Sequence, residues 1–217
     1  MDNMQRLIDK GLEQLTATVL KMGEVSEKTL ILSIGGFVRG KETYEDVKEL
    51  SEILVAMTVD VEEKSFRLIA KYQPVASDLR IINSYMKIAY DFERFGRYAW
   101  DISSLSKRFG RRINCEEWIA EYLCEMGEKV LQMVKISNMS LKSLDTELAK
   151  SVTENEQEVD EMYFQYLDKL VEAAEETNIC TIASLLVVRY LERIADHATY
   201  VNESVVYIST GEKVSLR

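Results

Sequence analysis

The chain has 217 residues, a formal net charge of −10 and a pI near 4.8, which argues against a duplex-binding surface because neutralising phosphates takes clustered Lys and Arg. One proline, nine glycines and 29% charged residues describe a helical protein, since sheet-rich chains need more turn residues and β-branched punctuation. No uninterrupted apolar run approaches the ~20 residues of a bilayer span, and the start Met1-Asp2-Asn3-Met4 is polar, so a cytoplasmic protein that is not integral to a membrane and binds no nucleic acid is expected.

A first long amphipathic helix is predicted from Asp2 to about Val38, where Leu7, Leu12, Leu15, Val19, Met22, Val25, Leu30, Ile34 and Phe37 recur at helical spacing. Arg39-Gly40-Lys41 ends it. Thr43, followed three residues on by Asp46, offers a capping hydroxyl for a second helix running to about Tyr72. Pro74 forces a turn, and Ser77-Asp78 is expected to cap a third helix from about Asp78 to Lys107, with Leu79, Ile82, Tyr85, Met86, Ala89 and Phe92 facing inward. After a break from Gly110 to Asn114, the pattern predicts a fourth helix over about 116–141, a fifth over 146–175 and a sixth over 181–208, closed by Thr210-Gly211. The basic run Lys107-Arg108-Phe109-Gly110-Arg111-Arg112 reads as a connection between helices. Cys115, Cys124 and Cys180 form no CxxC pair and read as reduced packing residues.

Two echoes divide the chain. Glu93-Arg94-Phe95-Gly96-Arg97 returns 99 residues later as Glu192-Arg193-Ile194-Ala195-Asp196, and Met22-Gly23-Glu24 returns 104 residues later as Met126-Gly127-Glu128. The fold predicted is therefore all-α: two tandem antiparallel three-helix bundles, six long helices in all, with repeats over residues 1–110 and 114–217.

In the later copy Glu192 and Asp196 stand one helical turn apart on one side, and the preceding helix carries Glu156 and Asp160 at the same spacing. Antiparallel packing would bring the pairs together. Four converging carboxylates repel and raise one another's pKa values unless a multivalent cation lies between them, and oxygen donors suit hard or borderline ions. Glu203, on the same stripe, is a possible additional ligand. The plainer reading pairs Glu192 with Arg189 or Arg193, and the residues alone leave both open. His197, the only histidine, points about 100° from the stripe and suits a surface or helix-contact role. Catalysis is not expected: a di-iron helix bundle needs Glu-x-x-His pairs that one histidine cannot supply, and no nucleophile–base pair or phosphate loop is present.

Gln73-Pro74-Val75-Ala76-Ser77-Asp78-Leu79-Arg80, then Asp91-Phe92-Glu93-Arg94-Phe95-Gly96, and in the second half Arg189-Tyr190-Leu191-Glu192-Arg193-Ile194-Ala195-Asp196-His197-Ala198, resemble the PhoU family of phosphate-uptake regulators over essentially the whole chain. The resemblance implies two three-helix repeats, multinuclear metal sites (commonly iron, with Mn, Zn or Mg as alternatives) and a cytoplasmic homodimer restraining uptake through a phosphate ABC transporter's ATPase and, in bacteria, a sensor kinase. It assigns Glu156, Asp160, Glu192 and Asp196 as metal ligands in the second repeat. In the first repeat the matching positions are Ser51, Val55, Glu93 and Arg97, so that site is degenerate and one metal site, not two, is expected. Arg97, one turn from both Glu93 and Asp101, is expected to neutralise its stripe. Ala195 and Tyr200 depart from the glycine and asparagine usual in the family, the tyrosine in a place to alter access. Arg80 is left to pair with a neighbouring acid. The competing function is a metal-independent helical interaction scaffold without a phosphate role.

Overall fold

A computed structural model describes residues 2–109, 116–172 and 178–217, with side chains from residue 7 onward. Among these residues there are six long helices, one short helix and no strand. The elements are α1 (Asp2–Arg39), α2 (Tyr44–Tyr72), α3 (Ala76–Phe109), α4 (Glu117–Ser143), α5 (Thr146–Lys150), α6 (Val152–Glu172) and α7 (Ile179–Thr210). The first repeat is α1–α3. In the second, α4 is followed by α5 and α6 in place of one fifth helix, then α7. No helix is long and apolar enough to cross a membrane. The predicted break from Gly110 to Asn114, most of the basic connection, and Cys115 lie outside the described residues.

Helix starts depart from expectation for identifiable reasons. The Thr43 side chain makes no cap hydrogen bond; its hydroxyl is turned toward Gly36, where a Cβ would meet it at 2.4 Å. Glu42 Oε1 instead accepts from the Tyr44 amide at 3.0 Å. The third helix begins at Ala76, ahead of the expected Ser77-Asp78 cap, with Ala76 at φ 45°. Asp145 does cap the expected start at Thr146, accepting from the amides of Glu147 and Leu148 at 2.9 and 3.1 Å. The helix then halts at Ser151 (ψ −12°) before α6 begins. The inward faces are as expected at Leu15, Val19, Met22, Ile82, Tyr85, Ala89 and Phe92, all buried, whereas Leu7 and Leu79 are exposed. The cysteine reading fails at Cys180, which is disulfide-bonded; spacing in sequence carries no information on which sulfurs a fold brings together. Cys124 is free and exposed.

One contiguous apolar core runs through both repeats, and its contacts carry the sequence echoes into space. Ser33 donates to the Ala99 carbonyl at 2.6 Å, and Ser137 donates to the Ala198 carbonyl at 3.1 Å. The serines are 104 apart and the alanines 99, the same two offsets as in the sequence. Between repeats, Gly23 of α1 abuts Asn138 of α4, and Gly127 of α4 abuts Ile34 of α1, again at an offset of 104. Each contact recurs with its partners' roles exchanged, the mark of a two-fold relation between the halves. The α3–α7 crossing obeys the same rule: Asp91 meets His197, and their counterparts 99 residues away, Tyr190 and Tyr98, stack with ring centroids 6.0 Å apart.

Within the first repeat α2 lies tightly on α3. A Cβ at Gly96 would meet Leu54 Cδ1 at 2.6 Å and Ser51 Cα at 3.4 Å. Gly96→Ala is therefore expected to lower unfolding stability by about 1–3 kcal/mol through overpacking. Gly35→Ala, with nothing within 4 Å of the new methyl, is expected to raise it by up to ~1 kcal/mol through helix propensity. Denaturant unfolding of the two variants checks both signs.

Candidate functional site

Glu156 and Asp160 of α6, Glu192 and Asp196 of α7, and the neighbouring Gln157, Glu161, Arg193 and Arg217 line one cavity of about 400 Å³. Apolar periodicity puts them there. Val152, Val159, Met162 and Tyr166 bury one side of α6, and Val188, Leu191, Ala195 and Ala198 bury one side of α7. The carboxylates occupy the margin of those faces, where the antiparallel helices meet. Three of the four belong to residues that are themselves buried: Glu156 at 5%, Glu192 at 7% and Asp196 at 6% exposure.

Burial, reinforced by neighbouring acids, sets the electrostatics. Loss of hydration raises the Glu156 carboxyl above the ordinary range, with Asp160 adding to the effect. Burial and then Asp196 raise Asp160. Burial and then Asp196 raise Glu192, with Arg193 and Arg189 opposing. Arginines answer the α7 pair. Arg189 Nη1 lies 2.8 Å from Glu192 Oε2, and Arg193 Nη2 donates to Glu192 Oε1 at 3.2 Å. Arg193 Nη1 also sits 2.8 Å from Asp196 Oδ2, while Arg217 Nη2 sits 2.5 Å from Asp196 Oδ1. Both oxygens of each α7 carboxylate are thus engaged by guanidinium. Glu156 and Asp160 make no hydrogen bond or ion pair among the described residues.

These residues fit a multivalent cation in kind and not in arrangement. All four donors are carboxylates in a half-dry cleft, as hard or borderline ions prefer. Yet among the described residues no three Asp, Glu, His or Cys side chains are gathered closely enough to hold one ion, and arginines occupy the α7 pair. The pairing of Glu192 with Arg189 and Arg193, one of the two readings left open by the sequence, is present.

Elsewhere the predicted residues separate. Glu203, expected as an additional ligand, faces a different cleft of about 450 Å³ lined by Lys87, Tyr90, Asp91 and Tyr200, and Glu203 Oε1 accepts the Leu216 amide at 3.0 Å. It is held there by the segment following α7, which returns between the two clefts. In the degenerate first-repeat set Ser51 is buried and Val55 half-buried, and Arg97 Nε lies 2.7 Å from Glu93 Oε1 as expected. His197 serves as a helix contact: Nδ1 lies 2.8 Å from Asp91 Oδ1, and the rings of Tyr90, Tyr98 and Tyr200 surround it. Asp91 is buried, and loss of hydration raises its carboxyl against the stabilising His197 contact. Arg80 takes a different partner from the acid expected of it, lying over the Tyr207 ring with its guanidinium carbon 5.9 Å from the centroid. Sequence reasoning missed Arg217 altogether, because an irregular segment has no periodicity to place its side chains.

The helices and their acidic margin define a two-repeat, all-helical protein with a carboxylate-lined cavity in its second repeat. The PhoU domain model matches residues 19–105 and 123–205, and the chain belongs to the PhoU family. It is 32% identical over 217 residues to the phosphate-specific transport system accessory protein PhoU homolog of Clostridium acetobutylicum, covering 98% of each chain. It is 34% identical over 209 residues to the homolog of the same name from Aquifex aeolicus, covering 94% of each. The crystal structure of PhoU from Pseudomonas aeruginosa superposes with a TM-score of 0.89 at 27% identity, over 94% of this chain and 99% of that one. The phosphate transport system regulatory protein PhoU from Streptococcus pneumoniae shares the fold, with a TM-score of 0.77 at 23% identity over 96% of this chain and 99% of that one.

Glu156 supplies a test of the cavity's charge balance. Its folded pKa lies above the unfolded value, so the folded state binds the extra proton between the two, and the ionised group costs stability once pH rises through the folded value. Without added metal, Glu156→Gln is expected to raise Tm at pH 7.5 by roughly 2–4 °C, on the order of 1 kcal/mol for a chain of this size. The gain should shrink toward zero near pH 4, as measured by thermal unfolding in chelator.

Proposed function

We propose that the chain is a regulatory accessory protein of phosphate transport that acts in the cytoplasm by binding partners, not by catalysis. The observation that carries this reading is the full-length match, through both repeats, to relatives that are themselves named accessory proteins of a phosphate-specific transport system. The partners proposed are a phosphate ABC transporter's ATPase, a sensor kinase and a second copy of the chain. A cell lacking this chain is expected to take up more phosphate in phosphate-replete medium than the parent. Affinity capture of the chain from native cells should recover the transporter ATPase. Unchanged uptake together with no ATPase recovered would leave the helical interaction scaffold as the better account.

The cation reading is part of the proposal in a restricted form. Glu156, Asp160, Glu192 and Asp196 would hold iron, or alternatively manganese, zinc or magnesium, once the guanidinium groups on Glu192 and Asp196 give way; such an ion would neutralise the cavity and tie α6 to α7. Support comes from the donor chemistry and from the two α6 carboxylates, which make no hydrogen bond or ion pair among the described residues and feel Arg217 only at a distance. Protein incubated with Fe²⁺, Mn²⁺ or Zn²⁺ and then freed of loose metal is expected to retain about one equivalent or more by elemental analysis, with the Glu192→Ala/Asp196→Ala variant retaining none. Equal retention by the two proteins, or none by either, would remove the cation from the function and leave the partner-binding reading standing.

A further inference from the structure

Between α3 and the second half of α7 lies a smaller cavity of about 160 Å³, which shares Lys87, Glu203 and Ser204 with the neighbouring 450 Å³ cleft. Ser84, Tyr207 and Lys213 line it as well. Its volume is roughly ten times the ~10–15 Å³ that admits one water, enough for a small ion.

The donors around it are unused. Ser84 is 1% exposed, and its buried Oγ makes no hydrogen bond. A serine inside a helix ordinarily returns its hydroxyl to a carbonyl of the preceding turn, as Ser26, Ser103 and Ser137 do. An orphaned buried hydroxyl calls for a partner of another kind. Lys87 and Lys213 make no hydrogen bond or ion pair among the described residues, and the Ser204 and Tyr207 hydroxyls make no hydrogen bond among them. Arg80 adds a further positive charge over the Tyr207 ring, its Nε buried and unpartnered.

The two-fold relation between the repeats supplies an internal control. Ninety-nine residues away along the same seam, Ser84 is answered by Ala183, Lys87 by Leu186 and Ser204 by Leu105. Ala183 is fully buried and Leu105 packs on the core. Apolar side chains close the seam there, so packing α3 on α7 does not require the hydroxyls and the lysine found at the other end.

We propose that this cavity is a binding site for inorganic hydrogen phosphate. Lys87 and Lys213 supply point charges and the hydroxyls of Ser84, Ser204 and Tyr207 supply donors, a dispersed set that suits a tetrahedral oxyanion better than a flat carboxylate, which favours the arginine fork. Glu203 selects among such anions. Its Oε1 already accepts the Leu216 amide, and an ionised carboxylate can only accept. It therefore repels sulfate, which has no proton to give, and accepts the O–H of hydrogen phosphate. The inference goes beyond the partner-binding reading and requires neither that reading nor an ion in the α6–α7 cavity.

The test is calorimetric titration of the full chain with potassium phosphate near neutral pH, in a buffer free of other oxyanions. Wild type is expected to bind about one phosphate per chain, and Ser84→Ala, which copies Ala183, and Lys213→Ala are each expected to bind about tenfold more weakly, the loss of one hydrogen bond to a charged group. Sulfate is expected to bind wild type at least about tenfold more weakly than phosphate, and Glu203→Gln, whose amide can donate, is expected to abolish that preference. Phosphate should raise the Tm of wild type and raise that of Ser84→Ala less, a comparison that also shows the variant to be folded. No heat from wild type at millimolar phosphate, or wild-type affinity in Ser84→Ala or in Lys213→Ala, would overturn the site; capture of the transporter ATPase tests the partner reading separately. Sulfate or glycerol phosphate bound as tightly as inorganic phosphate would overturn the assignment to hydrogen phosphate.

Discussion

The crossing of α3 and α7 is the constraint on which the rest of the molecule hangs. A buried carboxylate, Asp91, is stabilised there by His197 from the opposite repeat, 2.8 Å away, beside three tyrosine rings. The related position holds two stacked tyrosines, Tyr98 and Tyr190, and Arg94 Nη2 donates to the Tyr98 hydroxyl at 2.6 Å. A carboxylate–imidazole contact and an aromatic pair thus fill equivalent places in one seam. With α3 and α7 fixed on each other, α1 and α4 meet on one side through Gly23 and Gly127, while α2 and α6 lie as outer helices on their own repeats.

The outer helices are where the repeats have diverged, and the divergence is steric as well as electrostatic. Gly96 lets Ser51 and Leu54 of α2 lie close on α3, and Glu93 is satisfied within its own helix by Arg97. In the second repeat Ala195 replaces that glycine and Glu156 with Asp160 face the gap, so the corresponding place is a polar cleft. The cleft's excess negative charge is met from two directions, by arginines on α7 itself and by Arg217 from the segment beyond it. Fixed cations within one helix cost little to position.

Much of this was legible in the primary structure. Apolar residues at helical spacing marked the six long helices, and two echoes at different offsets located the repeats so closely that the same offsets recur between hydrogen-bonded serines and alanines. The convergence of Glu156, Asp160, Glu192 and Asp196 followed from their place on the margin of apolar faces. What escaped was set by contacts distant in sequence. The Thr43 hydroxyl turned to Gly36 in place of its own amides, the fifth helix broke at Ser151 without a glycine or proline to signal it, and Glu203 left its stripe's cluster because Leu216 claimed it. Arg217 had no pattern to betray it, and Cys180 found its bond only in three dimensions.

One consequence of the shared core concerns how such a molecule can change over time. Because α3 and α7 pack on each other across the repeats, parting the halves would bare Tyr98, Tyr190, Asp91 and His197 together. Selection must therefore preserve both halves for solvation alone, whether or not both retain chemistry. That leaves the outer helix of one half free to vary: α2 can carry Ser51 and Val55 while its repeat keeps its scaffold and goes on serving as the other's foundation.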